Sequence, residues 1–181
     1  MRNFKVTTGA AVLSYAHIFE PREDLNGNLK YSCSLIFPKQ SNTPGIIKRK
    51  MEEMLEDEDV KKVLGKGRNF THPLLRDGDE ERPEDTAYKG SFFMKAKSNP
   101  DHKPKLFNRD RSELVDPEEL YSGCWVQAVL TLFPYNKKGS KGISASLVAL
   151  RKLKDGKPLS GTAVTDADFD DSLISDLDEL F

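Results

Sequence analysis

The side chains best equipped for chemistry in this chain are aromatic rings set beside cations, and the pairing recurs at four places. Tyr31 follows Lys30, and Phe93 shares one face of a strand pattern with Lys95 and Lys97. Phe107 is followed by Arg109 and Arg111, and Tyr135 by Lys137, Lys138 and Lys141. Ammonium and guanidinium groups neutralise phosphates, while flat rings let bases stack at about 1–3 kcal/mol each, whatever the base. Together they grip a single strand without reading its sequence. For any one cluster, a core or hairpin ring beside solvated lysines is the stronger reading; recurrence in several places favours binding. Tyr15 and Trp125 are further candidate rings, although Trp125 opens a strand, where core packing competes with stacking.

Other chemistries find less support. His17, His72 and His102 stand in separate contexts, without HExxH or HxH spacing or a nucleophile motif nearby. The acidic run Asp77-Gly78-Asp79-Glu80-Glu81 could attract a hard cation, but it lacks the ordered ligand spacing of a calcium loop and reads as a solvated turn. Neither Gly65-Lys66-Gly67 nor Gly139-Ser140-Lys141-Gly142 has the spacing of a phosphate loop. Cys33 and Cys124 lie far apart in apolar runs, as small core residues of a reducing compartment do. No catalytic residue, metal or cofactor is expected.

The elements that must hold the rings and cations are mainly strands. Residues 10–19 read as one strand, Asn26-Gly27 as a hairpin turn, and residues 29–37 as the next strand, with Leu29, Tyr31, Cys33, Leu35 and Phe37 on its apolar face. A helical insertion is expected over residues 42–64: Thr43 as N-cap before Pro44, apolar spacing at Ile47, Met51, Met54 and Leu55, then a second piece capped by Asp57 and stopped by Gly65. Residues 65–90 show no periodicity and are expected to be a long loop, functional or poorly ordered. Strands return at 91–97, 125–133 and 143–150, with a long, glycine-containing, flexible hairpin loop expected between the last two. Five or six strands without strand–helix alternation suit a small antiparallel barrel and not a doubly wound sheet.

Charge divides the chain in two. Seven of the 29 acids and none of the 28 bases fall in the last 21 residues, so residues 1–160 carry 28 bases against 22 acids, a net +6. Two parts are therefore expected: a body over 1–160 and a mobile, solvated acidic tail over 161–181. The tail also spaces Phe169, Leu173, Ile174, Leu177, Leu180 and Phe181 between its acids, so it can dock as well as solubilise. Its end, Asp176, Asp178, Glu179, Leu180 and Phe181, is the candidate partner-binding peptide. The apolar run Gly9–Leu13 is too short for export, and no stretch approaches the ~20 apolar residues of a membrane span.

Four stretches resemble phage single-stranded DNA-binding proteins with an OB-fold: YAHIFEP at 15–21, YSCSLIFPK at 31–39, RDGD at 76–79, and LYSGC at 120–124 continuing through FPYN to Lys141-Gly142. The acidic tail ending in Phe181 is similar to those of bacterial and phage-T7-type single-stranded DNA-binding proteins. The resemblance implies an OB-fold, sequence-independent binding of single strands in replication and recombination, no catalysis, and work in the cytoplasm of an infected bacterium. It also implies a tail that recruits replication proteins such as a polymerase or helicase. Read with the charge division, it suggests that the tail competes with DNA for the basic groove, that duplex could enter once the tail is removed, and that the same pairing in trans would make a homodimer. Two alternatives remain at this point: a replication adaptor acting through body–tail contacts, and a metal-dependent nuclease built on the Asp77 loop.

Overall fold

Eight strands among the described residues order the molecule, and five of them close on themselves. The computed structural model describes residues 2–67, 70–159 and 169–180, and for Leu180 the backbone only. In chain order the strands are β1 (Phe4–Thr7), β2 (Ala11–Glu23), β3 (Leu29–Pro38), β4 (Arg76–Asp77), β5 (Ser91–Ser98), β6 (Lys105–Phe107), β7 (Trp125–Lys137) and β8 (Ser140–Lys154). Antiparallel pairing links β7 to β2, β2 to β3, and β3 to β5; a parallel bridge joins β5 to β8, and β8 pairs back to β7. That ring is the five-stranded Greek-key barrel of an OB-fold. The short strands extend it, β1 on β7, β6 on β8 and β4 on β5.

Alternation builds the interior. Along β7, Val126, Ala128, Leu130 and Leu132 are all buried, and they meet Leu13, Leu35, Phe37 and Met94 from the other staves. Each large apolar side chain buried this way contributes roughly 1.5–3 kcal/mol. Cys33 and Cys124 are buried and unbridged, and burial pushes the Cys33 thiol up to about 12. Between β3 and β4 lies the helical insertion, α1 (Thr43–Leu55) and α2 (Glu58–Leu64), which plugs the barrel with Ile47, Met54, Val60 and Leu64. Asp57 caps α2 through the amides of Asp59 and Val60, and Gly65 ends it at a φ of 68°. The cap of α1 differs from expectation: Asn42 holds the N-cap position, and Thr43 Oγ1 instead accepts the amide of Gly9 at 3.0 Å. A tertiary partner outcompetes local capping here.

Three further segments depart from the sequence reading. The loop over 65–90 is partly ordered by β4, the short α3 (Gly78–Glu81) and a 3-10 turn over Thr86–Tyr88. The long flexible loop expected between β7 and β8 is a two-residue turn, with φ of 49° at Lys138 and 82° at Gly139. Both central residues take the left-handed region that a type I′ hairpin requires, so the strands run nearly to the tip. In the tail, Asp171–Ile174 forms a 3-10 turn and α4 (Leu177–Leu180) a single helical turn, with Phe169, Leu173 and Ile174 exposed. The expected boundary at 160/161, residues 161–168 and the terminal Phe181 lie outside the described residues.

Candidate nucleic-acid interface

The outer faces of β2, β3 and β5 lie side by side in rows fixed by strand register. One row runs Val12, Ile36, Phe93 and Arg76; the next Ser14, Ser34 and Lys95; the next His17, Ser32 and Lys97; the last pairs Arg22 with Lys30. Small serines on the central strand leave room between the flanking side chains. The result is a cleft of about 450 Å³ whose wall carries Arg22, Lys30, Arg82, Lys95 and Lys97, with Glu23 and Asp24 at the hairpin end. Asp24 is committed to that hairpin: its carboxylate accepts the amides of Asn26 and Asn28, which holds its pKa below the ordinary carboxylate value. The cations crowd each other. Burial and then the charges of Arg76, Arg82 and Lys97 hold the Lys95 ammonium below the usual lysine range, so an anion in the cleft relieves an existing repulsion.

Tyr15 stands at the edge of this cleft. It is 51% exposed, has a φ of +46°, and sits where the β2–β3 register shifts between Ser14 and His17. Such a bulge re-aims a side chain, and a bulky residue at positive φ is strained enough to need support. Arg82 supplies support: Nη1 donates to the Tyr15 hydroxyl at 2.9 Å, and the guanidinium carbon lies 5.0 Å from that ring, 4.8 Å from Tyr88 and 5.8 Å from Phe93. Beneath it Tyr88 meets Phe93 edge to face at 5.0 Å and donates its hydroxyl to Ser14 Oγ at 3.0 Å. Arg76 lies 5.3 Å from the centre of the Phe93 ring while its Nε donates to Glu81 at 2.8 Å. The RDGD stretch builds this stack. Gly78 is pressed against Tyr88, whose carbonyl oxygen would lie 2.2 Å from any Cβ, and Asp77 and Asp79 share Lys39 at 2.8 and 2.9 Å. Asp79 also accepts the amide of Gly90, so the Asp77 and Asp79 carboxylates are both used in holding the loop.

Of the predicted residues, Tyr15, Lys30, Lys95 and Lys97 come together in the cleft. Phe93 and Tyr31 require correction as stacking faces, because they are 1% and 7% exposed: Phe93 lies under two guanidinium groups, and Tyr31 points to the interior side of β3. Lys141 also requires correction, since its ammonium donates to the carbonyls of Leu64 and Lys66 and closes the end of α2. Tyr135 packs over Gly142 on the β7–β8 hairpin, and Lys137 and Lys138 sit at its exposed tip, away from the cleft. Phe107 and Arg111 line a separate groove near Gln127 and Arg151, beside a turn in which Arg109 donates to the carbonyl of Leu153. Trp125 is half-buried, with the Lys154 ammonium 5.4 Å over its ring. His17, Arg22, Arg82 and Tyr88 were missed. The signal for His17 was its strand phase; Arg82 and Tyr88 lay in a loop that periodicity cannot read.

Comparison with known proteins fits this geometry. A family described as Enterobacter phage Enc34, ssDNA-binding protein, matches residues 4–180. The chain belongs to the Enc34 phage ssDNA-binding protein family. That family is one of non-catalytic binding proteins. Protein p50 of Acyrthosiphon pisum secondary endosymbiont phage 1 is 30% identical over 186 residues, covering 97% of this chain and 98% of that one. Among solved structures, the single-stranded DNA-binding protein from bacteriophage Enc34 in complex with ssDNA is similar at a TM-score of 0.72 and 29% identity, covering 86% of this chain and 89% of that one. The single-stranded DNA-binding protein gp2.5 of bacteriophage T7 is similar at a TM-score of 0.58 and 13% identity, over 90% of this chain and 98% of that one, a likeness of fold. No described helix is long and apolar enough to cross a membrane.

Proposed function

We propose that this protein binds single-stranded DNA in the β2–β3–β5 cleft without sequence preference, coating and protecting it during phage replication and recombination in the cytoplasm of the infected host. The observation that carries the reading is the exposed Tyr15 ring, held out on a bulge beside five cations. Arg22, Lys30, Arg82, Lys95 and Lys97 meet phosphates, and Tyr15 offers the stacking face. Stacking plus phosphate contact tolerates any sequence. The acidic tail competes for the same cleft at high effective concentration because it is tethered to the body. Displaced by DNA, its end, Asp176 to Phe181, is free to dock on a polymerase or helicase. Without the tail the basic cleft accepts duplex as well, since phosphate attraction is not selective; in trans the same tail–cleft pairing makes a homodimer.

The test is anisotropy of labelled oligo-dT titrated with the parent, Tyr15→Ala, and Lys95→Ala/Lys97→Ala. Tyr15→Ala is expected to weaken binding about tenfold or more, with little change in salt dependence. The double lysine variant is expected to weaken it and lower the salt slope by about 1.4. Unchanged affinity in both variants would place the strand elsewhere on the barrel.

A further inference from the structure

A second cleft, of about 560 Å³, adjoins the basic one. Tyr15 and His17 line both. The rest of its wall is made by Ser14 and Ala16, by the turn over 85–88 with Asp85 and Thr86, by Ser122, and by residues 157–159, the last described body residues before the tail. Building on the single-strand reading above, we propose that the DNA track continues past Tyr15 into this second cleft, where a nucleotide lies against Thr86 and Ser122 and Lys157 meets its phosphate. The strand then touches the root of the acidic tail.

The charge pattern fits a track that changes character along its length. The first cleft holds five cations; the second holds one, Lys157, which is exposed and makes no ion pair among the described residues. The acid facing it, Asp85, is already engaged by the amide of Ala87 at 3.1 Å and by Arg82 at 3.8 Å. A base and sugar between hydroxyls, with one phosphate contact, suits that environment better than a run of phosphates does.

The wall itself is built to stay in place. Leu159 donates its amide to the carbonyl of Ser122 at 3.0 Å, and Tyr121 donates its hydroxyl to the carbonyl of Gly156 at 3.0 Å. Gly123, at a φ of 118°, lies so close that a Cβ would stand 2.1 Å from the carbonyl oxygen of Lys157. Ser122 Oγ meanwhile accepts the amide of Ala16 at 3.1 Å, one residue from Tyr15. The Tyr121-Ser122-Gly123-Cys124 block, which no contact with DNA in the first cleft explains, is thus the clamp that fixes the tail root beside the stacking ring. Strand that reaches this cleft meets the wall to which the tail's root is fixed.

The experiment titrates labelled oligo-dT of about 5 and about 15 nucleotides, spanning the site sizes of single OB-folds, with the full chain and with Lys157→Ala and Thr86→Trp. Both substituted positions are exposed, which spares the core. The longer strand is expected to bind the parent more tightly than the shorter. Lys157→Ala should weaken only the longer strand, about threefold to tenfold, and lower its salt slope by about 0.7. Thr86→Trp should remove most of the length gain. In hydrogen exchange, the longer strand should protect the Leu159 amide and the shorter should leave it unchanged. Variants that match the parent on both strands, or that weaken both equally, overturn the proposal. A parent that binds neither strand overturns instead the single-strand reading itself.

Discussion

His17 is the one side chain of the basic cleft whose charge can change near neutral pH. Its Nε2 lies 3.3 Å from the Arg22 guanidinium; burial and then that charge hold the imidazole below its ordinary value of 6.5. The folded value therefore lies below the unfolded one. The stability due to the neutral ring is complete above the unfolded value and is lost as pH falls through the depressed folded value. Binding runs the other way, because an imidazolium beside Arg22 adds a cation that a phosphate neutralises. Affinity for oligo-dT is expected to rise a few-fold between about pH 7 and pH 5, and His17→Ala to flatten that rise. A His17→Ala chain keeping the parent's pH slope would assign the effect to another group. Lys95, Lys97 and Lys30 were legible in the sequence as cleft residues because each takes the polar phase of a strand. Phe93 shares that phase and is buried all the same, since Arg82 and Tyr88, both in the loop that precedes β5, cover it. Strand phase tells which face a ring is on; it does not tell what lies over that face.

At the scale of elements, the loop between α2 and β5 carries more of the site than its composition suggested. Its short helix and 3-10 turn seat Tyr88 and Arg82 on Phe93, and Gly78 is the position where the two parts come closest. A methyl group there must displace the Tyr88 backbone. Gly78→Ala is expected to cost roughly 1–3 kcal/mol, lowering Tm by several degrees, and to weaken oligo-dT binding beyond the loss in stability because Arg82 no longer supports Tyr15. Thermal melting paired with anisotropy checks this, and a Gly78→Ala chain of parental Tm would mean the loop gives way without strain. The barrel strands, the helical insertion, the Asn26-Gly27 turn and the Asp57 cap were all readable, because each rests on local periodicity or local hydrogen bonding. The β7–β8 turn was misread for a physical reason: glycines and lysines over 137–142 imitate a flexible loop, whereas only Lys138 and Gly139 leave the strand conformation. β1, β4 and β6 are two to four residues long, and tertiary pairing alone defines them.

Across the whole molecule, the body's net +6 and the tail's seven acids are covalently joined, and on the proposed reading they are alternative partners for one cleft. The tail's root is held in the cleft that Tyr15 lines by the hydrogen bond from the Leu159 amide to the Ser122 carbonyl, so the tail is tethered close to the proposed strand path. Their competition is Coulombic and should be strongest when screening is weakest. Removing residues 161–181 is expected to tighten oligo-dT binding about tenfold or more at 0.05 M salt, with the two chains converging toward 1 M, where the screening length is about 3 Å. The truncated body should also show the steeper salt slope, because every phosphate contact it makes is with a cation the tail no longer partly neutralises. Anisotropy of both chains across one salt series measures both quantities. Equal affinities at low salt would mean that the tail never enters the cleft, and its spaced apolar residues would then be free for protein partners whether or not DNA is bound. Convergence only at high salt, in contrast, makes partner recruitment conditional on occupancy: the same strand that fills the cleft exposes the peptide.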